Sequence, residues 1–389
     1  MPPNLELDVA SLAAGGDGVA RDANGRVTFV PRTAPGDRVR VRLVKQTSSF
    51  ARGELVEVVT PSPSRVDPPC PHFVAGCGGC QWQHVERGAQ LVAKQAVVVG
   101  ALRKLEGLTV HGIVNPAPAL GWRRRARFHV IASTVGLYRE GTHAVVAIDR
   151  CPQLDPALDA AYAAVVAASP PAGELALLVG HQGHVTVGTT KPWNSAERLI
   201  GVAGIVGLQC GTAAHGEPVI EVEPGLWGGP HDFAQASAAG NRALIGLARD
   251  ALGTDRGALL ELYAGAGNLT RALVADGWRV TASDAIAPAR TPDGAAYVVA
   301  TAADALARAA GPFDAIVLDP PRTGAADAID GIARHAPRTI VYVSCDPATL
   351  ARDAERLVAA GYRATDAWPV DLMPQTAHVE VVLRLVRGA

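Results

Sequence analysis

Over the first 60 residues, apolar and polar positions alternate in short runs. LELDVASL, RVTFVP, DRVRVRLVKQ and RGELVEVV are separated by GGDG, ANG and APGD, which are turn sequences rich in Gly, Asp and Pro. A period of two turns one face inward and the other to water, so this spacing predicts about five short strands forming a small β-barrel. A Pro-rich linker, PSPSRVDPPCP, follows. Residues 81–105 carry apolar positions at Leu91, Val92, Ala96, Val99 and Leu102, which predicts a helix. From 125 to 229 the strand pattern returns in ARFHVIAS, TVGLYR, HAVVAI, LALLVG, HVTVGT, ERLIGVAGIVGLQCG and EPVIEVEPGLW, and predicts an antiparallel sheet. After residue 235 helices and strands alternate: helix NRALIGLARDAL, strand ALLELYAG, helix NLTRALVADG, strand RVTASD, helix ADALARAA and strand FDAIVLDPP. A helix near 325–335, strand TIVYVSC, helix ATLARDAERLVAAG and strands at 362–370 and 379–386 complete it. Such alternation predicts a mostly parallel sheet covered on both faces. The expected architecture is therefore multidomain: a small N-terminal β-barrel at 1–60, an α+β middle domain at 61–230 and a C-terminal α/β domain at 231–389.

The length of 389 residues suits two or three domains, each with its own core. Hydrophobic residues at 48% and charged ones at 19% fit a compact soluble protein. The opening MPPNLELDVA lacks the basic start and apolar run of a signal peptide. No stretch has the ~18 uninterrupted apolar residues of a membrane span, so a cytoplasmic location is expected. The formal net charge of -1 gives no global sign of a nucleic-acid binder. Any such contact must use local basic surface, because phosphate attraction acts over roughly 8–10 Å. The candidates are the scattered Arg32, Arg38, Arg40, Arg42, Lys45 and Arg52, and the dense Arg123, Arg124, Arg125 and Arg127. Cysteines occur at 70, 77, 80, 151, 210 and 345. In a reducing cytosol, clustered cysteines point to metal or redox chemistry rather than disulfides.

Four motifs carry chemistry. Glu261-Leu-Tyr-Ala-Gly-Ala-Gly-Asn268 sits where a strand meets a helix, and its glycines let backbone approach a ligand. Its place at the first strand of an α/β domain favours a nucleoside cofactor, with Glu261 and Asp284 available for polar or ribose contacts. Asp319-Pro-Pro-Arg322 ends a buried strand, where ligands of open α/β sheets bind. Ser344-Cys345-Asp346-Pro347 follows another buried strand, which sends a thiol into the same crevice. The helix after it is expected to lower that thiol's pKa. Thr376-Ala-His-Val-Glu380 places a carboxylate at the start of the last strand, as a base beside the thiol.

From Leu259 to Leu385 the chain resembles the uracil-C5 RNA methyltransferases, which modify tRNA or 23S ribosomal RNA. The runs VLDPPRTGA, VYVSCDPATLARDAERLVAAGY and PVDLMPQTAHVE carry the resemblance. DGVARDANGRVTFVPRTAPGDRV is similar to the OB-like, RNA-binding TRAM barrel, and GLYREGTHAVVAIDRCPQLDP to the family's middle domain. The resemblance covers nearly the whole chain. It implies a Rossmann-like domain that binds S-adenosyl-L-methionine (SAM), with Gln235, Tyr263, Asn268, Asp284 and Asp319 near the cofactor. It also implies that Cys345 is the nucleophile and Glu380 the base. Two departures from the family pattern stand here: Ser237 where Asn is usual, and Asp284 where Glu is common, followed by a shortened stretch.

For the early cysteines, spacing alone leaves zinc and an iron–sulfur cluster open, since both accept four thiolates. The resemblance implies that Cys70, Cys77, Cys80 and Cys151 hold a [4Fe–4S] cluster, and leaves Cys210 to the core. A TRAM barrel with four such cysteines leans toward 23S ribosomal RNA over tRNA, and a monomer is expected. The rival readings are an exocyclic-amine methyltransferase, which needs no thiol, and an RNA-binding or RNA-folding protein whose methyl transfer is vestigial.

Overall fold

The computed structural model describes residues 4–388. At the N-terminus, strands Leu5–Leu12, Gly18–Arg21, Val27–Val30, Arg38–Gln46 and Phe50–Thr60 close into a barrel. Alternation decides which way each side chain points. Val39 and Val41 are fully buried, while Arg38, Arg40 and Arg42 face outward from the same strand. There they meet Glu6, Glu57 and Glu54 of the flanking strands in cross-strand ion pairs. Buried Asp37 ties the barrel to the linker, since its carboxylate takes Arg65 and the backbone N–H of Ala34 and Ser62.

The middle domain is a seven-stranded sheet with helix Pro156–Ala167 across one face. Phe128 stacks on Tyr162 at 4.1 Å in the core between them. The sheet is not wholly antiparallel as its pattern predicts: Val185–Thr189 runs parallel to Ile205–Cys210. The two short 3-10 turns at Ala196–Leu199 and Val202–Gly204 carry the chain back for this pairing, and a local alternation pattern holds no record of strand direction.

The C-terminal sheet has eight strands. Their order is Ala296–Val299, Arg279–Asp284, Ala258–Leu262, Ala315–Leu318, Thr339–Ser344, Glu380–Arg387, Tyr362–Val370 and Thr109–Val110. Pairings are parallel except for Glu380–Arg387, which is antiparallel to both neighbours. The central strands are near-continuous apolar runs because helices cover both faces. Helix Ala238–Leu252 lies on one face; helices Arg87–Leu102 and Pro347–Ala359 lie on the other. Thus Val98 and Leu102, from the segment expected in the middle domain, are buried in the C-terminal core, and Thr109–Val110 supplies its edge strand. No helix among the described residues is long and apolar enough to cross a membrane.

Middle and C-terminal parts meet at Glu223. This buried carboxylate accepts from Arg124, Arg271 and Asn241. Burial alone would raise its pKa, but those donors outweigh it and hold Glu223 below the usual carboxylate range. Removing the carboxylate strands two guanidinium groups, so Glu223→Ala should cost about 3–5 kcal/mol in urea denaturation. Arg38→Ala, in an exposed pair, should leave the urea midpoint in place. Equal midpoints for the two variants would deny Glu223 its joining role.

Candidate functional site

The site forms where the parallel strands end. Strand Ala258–Leu262 runs into a turn whose backbone is left-handed at Tyr263 (φ 59°), Gly265 (φ 54°) and Gly267 (φ 89°). At Gly267 a Cβ would stand 2.1 Å from Pro292, so only glycine fits. The turn is held from both sides. Gly265 N–H donates to Asp284 (2.9 Å), and the Tyr297 hydroxyl donates to Gly265 O (2.7 Å). Glu261 lies buried beneath it and accepts from Thr270 (2.6 Å). Burial, with Asp319 and Asp284 adding, pushes Glu261 up to about 8 against the Thr270 bond. The Asn268 amide pairs reciprocally with Asn241 (2.7 and 2.8 Å), and the Tyr263 hydroxyl reaches Asp327 at 3.4 Å. The short stretch after Asp284 folds over this turn, with Pro292 against Gly267 and Arg290 3.6 Å above the Trp227 ring.

Gln235 enters from the domain junction. Its side chain donates to Asp319 (3.4 Å), while its carbonyl accepts from Arg124 (2.8 Å). Ser237, the departure from the family pattern, caps helix Ala238–Leu252 by accepting from Gly240 N–H. Asp319 ends strand Ala315–Leu318, and burial pushes it up to about 7.

Cys345 follows strand Thr339–Ser344 and is half-buried. The helix after it does not lower its pKa as expected. Asp346 caps that helix and takes the Ala348 and Thr349 N–H groups itself. Burial pushes the thiol up to about 11; Glu380 and Asp319 add to this and Arg322 opposes it. Burial likewise pushes Glu380 up to about 8, with Asp319 adding and Arg322 and Lys94 opposing. Cys345, Glu380 and Asp319 thus share one electrostatic neighbourhood, with Arg322 as a cation in it. Arg322 also lies 3.2 Å from His378 Nε2, and burial holds that imidazole down at about 4. Arg322 and His378 had no role in the sequence reading, although both stand within its motifs.

Cys70, Cys77, Cys80 and Cys151 line one cavity, together with Gln83, Gln153 and Arg123. Burial raises the thiols of Cys77, Cys80 and Cys151, Cys80 to about 11, and neighbouring cysteines add to the shift. The Gln83 Oε1 and both side-chain polar atoms of Gln153 are buried without a hydrogen-bond partner. Four thiols lining one space are the kind of donor set a thiolate-ligated group uses. Among the described residues, no group of three or more His, Cys, Asp or Glu is arranged to hold a metal ion. Cys210 lies in the core of the middle sheet.

The basic candidates divide. On the barrel, Arg38, Arg40 and Arg42 are neutralised by glutamates, and Arg32 pairs with Glu140. Arg124 is buried and structural, and Arg123 lines the cysteine cavity. Arg125, Arg127 and His129 share the face of strand Arg125–Ile131 opposite the core, where His129 stacks on Tyr138 at 3.7 Å. Arg125 lies 5.6 Å from the ring of Phe233, which is 68% exposed.

Two family models match the chain: the TRAM domain over residues 4–56, and tRNA (Uracil-5-)-methyltransferase over 307–387. A relative from Pectobacterium atrosepticum, named 23S rRNA (uracil(1939)-C(5))-methyltransferase RlmD, is 31% identical across 97% of this chain and 92% of its own. One of the same name from Chromohalobacter salexigens is 34% identical across 98% and 89%. Among solved structures, the Pyrococcus abyssi tRNA (uracil-54, C5)-methyltransferase with S-adenosyl-L-homocysteine superposes with a TM-score of 0.77. That match is 23% identical and covers 98% of this chain and 100% of the other, which shows a shared fold.

A thiol titrating near 11 should alkylate slowly at neutral pH. Iodoacetamide labelling of the Cys345 peptide, read by mass spectrometry, should quicken about tenfold per pH unit across the range below that pKa. Glu380→Gln should quicken it further at alkaline pH by removing a neighbouring negative charge. A rate already flat at neutral pH would mean a low-pKa thiol and overturn this picture.

Proposed function

This chain belongs to the RNA uracil-C5 methyltransferase family, and from that premise we propose that it methylates C5 of a uridine in 23S ribosomal RNA through a covalent adduct with Cys345. The observation that carries the reading is the strand register: Ser344 pairs with Val381, which sets Cys345 and Glu380 at the same end of adjacent strands, and Asp319 leaves the next strand at that end. C5 of uridine is a poor nucleophile until something adds to C6. The Cys345 thiolate, favoured by Arg322, adds to C6 and moves charge onto C5 and O4. SAM would supply an electrophilic methyl on a cationic sulfonium, and C5 takes that methyl as the S–CH3 bond breaks and S-adenosyl-L-homocysteine leaves. Glu380 then accepts the C5 proton; the electrons of that bond form the C5–C6 double bond and the S–C6 bond breaks, returning the thiolate. Asp319 and Gln235, hydrogen-bonded to each other, orient the pyrimidine and the donor. Glu261, Tyr263, Asn268 and Asp284 shape the cofactor turn, and Asp284 does so through its bond to Gly265 N–H.

The full-length resemblance to proteins named for 23S rRNA favours that RNA over tRNA. The outward face bearing Arg125, Arg127, His129 and Tyr138, with Phe233 at its edge, is the RNA surface we favour, because its arginines, of which Arg127 pairs only loosely with Glu174 (3.6 Å), and the exposed Phe233 ring suit phosphates and unstacked bases. The target base must leave its stack to reach Cys345, at a cost of a few kcal/mol in order of magnitude. Cys70, Cys77, Cys80 and Cys151 would hold a [4Fe–4S] cluster, a reading supported by the shared cavity of the four thiols.

Labelled SAM offered with unmodified 23S rRNA and tRNA transcripts should yield 5-methyluridine in the ribosomal RNA alone. Cys345→Ala should abolish it and Glu380→Gln should slow it by about 10²–10⁴-fold. Labelled tRNA alone would overturn the substrate, and a fully active Cys345→Ala would overturn the chemistry. Anaerobically purified protein should contain iron and acid-labile sulfide and lose both in Cys80→Ser; bound zinc instead would exclude the cluster.

A further inference from the structure

The loop at 371–379 delivers Glu380 to the site, and most of its fixed contacts come from the segment just after the cysteine loop. Gln81 and Trp82 N–H both donate to Gln375 O, at 3.1 and 3.0 Å. The Gln90 side chain clasps Gln375 twice: its Nε2 donates to Gln375 Oε1 (2.9 Å) and its Oε1 accepts from Gln375 N–H (3.1 Å). One turn further along the same helix, Lys94 donates to Met373 O (3.0 Å) and pairs with Asp371. Gln90, Lys94 and Asp371 are all wholly buried. Gln375 itself is left-handed at φ 66°, a conformation that a non-glycine residue keeps only where its surroundings impose it.

These bonds grip the loop's backbone, at Gln375 N, Gln375 O and Met373 O. They therefore set where the chain runs five residues before the carboxylate, which side-chain packing alone does not do. We propose that Gln90 and Lys94 are positioning residues for Glu380: they brace the 371–379 loop so that the carboxylate meets the C5 proton of the Cys345-bound pyrimidine. The proposal rests on Glu380 being the base. Because the chain passes from Cys80 directly into Gln81 and Trp82, the brace also joins the cysteine loop to the reaction site.

A misplaced base has a distinctive consequence. Addition of Cys345 to C6 and methylation of C5 go on, but the C5 proton stays and the S–C6 bond is not broken. The product is an SDS-stable protein–RNA adduct that carries labelled methyl. The experiment compares wild type, Glu380→Gln, Gln90→Leu and Lys94→Met as full-length protein with 23S rRNA transcript and labelled SAM. Glu380→Gln should accumulate the adduct. Gln90→Leu and Lys94→Met should accumulate it too, with kcat lowered by about 10²-fold and KM for SAM and RNA unchanged. Gln81→Ala, at a half-buried position whose side chain accepts from Ala377 N–H, should give the same adduct at a lower level even if the buried variants fail to fold. Adduct in Glu380→Gln but in none of the brace variants would overturn the brace and leave the base in place. No adduct in Glu380→Gln would overturn the base itself. A parallel loss of SAM binding and of adduct in the brace variants would mark Gln90 and Lys94 as general fold supports, and would also overturn the proposal.

Discussion

Two buried carboxylates, Glu261 and Glu380, and the half-buried Asp319 crowd the carboxyl edge of one sheet together with the Cys345 thiol. Desolvation is the leading cause of every shift there, and it favours the neutral form of each group. Such raised carboxylates support the fold below the ordinary carboxylate range. That support is lost as pH rises through their folded values of about 7 to 8. A compact apolar sheet, with Ile316, Val317, Val341 and Val343 wholly buried, holds the edge together against this cost. The proposed chemistry needs the thiolate of Cys345 and the carboxylate of Glu380; Arg322 favours ionisation of both and Lys94 that of Glu380, without cancelling the desolvation.

Placement of these groups does not belong to the C-terminal sheet alone. Gln235 is fixed through Arg124, which reaches it from the middle sheet. Asn268 is fixed through Asn241, which also binds Glu223 at the junction. The loop before Glu380 is held by a helix that begins nearly three hundred residues earlier in the chain. The barrel joins the same assembly, since the Trp82 indole donates to Gly16 O at 2.9 Å. Each connection crosses a boundary between units that sequence patterns separate cleanly. The site is therefore a property of their contact.

What was legible in the sequence follows from locality. Alternation in Leu5–Thr60 and the βα repeat after Ala238 are short-range signals, and they gave a barrel and a doubly covered sheet. Asp319 and Cys345 could be placed because both leave buried strands at the same end, which the repeat itself implies. The edge strands Thr109–Val110 and Ala296–Val299 were not legible, being too short to carry a period. Neither was the direction of Ile205–Cys210, or the thiol's upward shift. The shift turns first on burial and then on Glu380 arriving from another strand, and no window around Cys345 contains Glu380.

The arginines show most plainly where such reading ends. Arg38, Arg40 and Arg42 alternate along a strand and point outward as the pattern requires, yet cross-strand glutamates consume their charge. Arg123, Arg124, Arg125 and Arg127 are nearly consecutive and meet different fates: a cavity wall, a buried ion pair and an outward face. Periodicity tells which side of an element a residue faces, but partner identity comes from tertiary contact. Free positive charge, the quantity that attracts phosphate, is what remains after those partners are counted. Beside Phe233 and the His129–Tyr138 stack, Arg127 keeps only a 3.6 Å pair with Glu174, and Arg125 faces the exposed Phe233 ring.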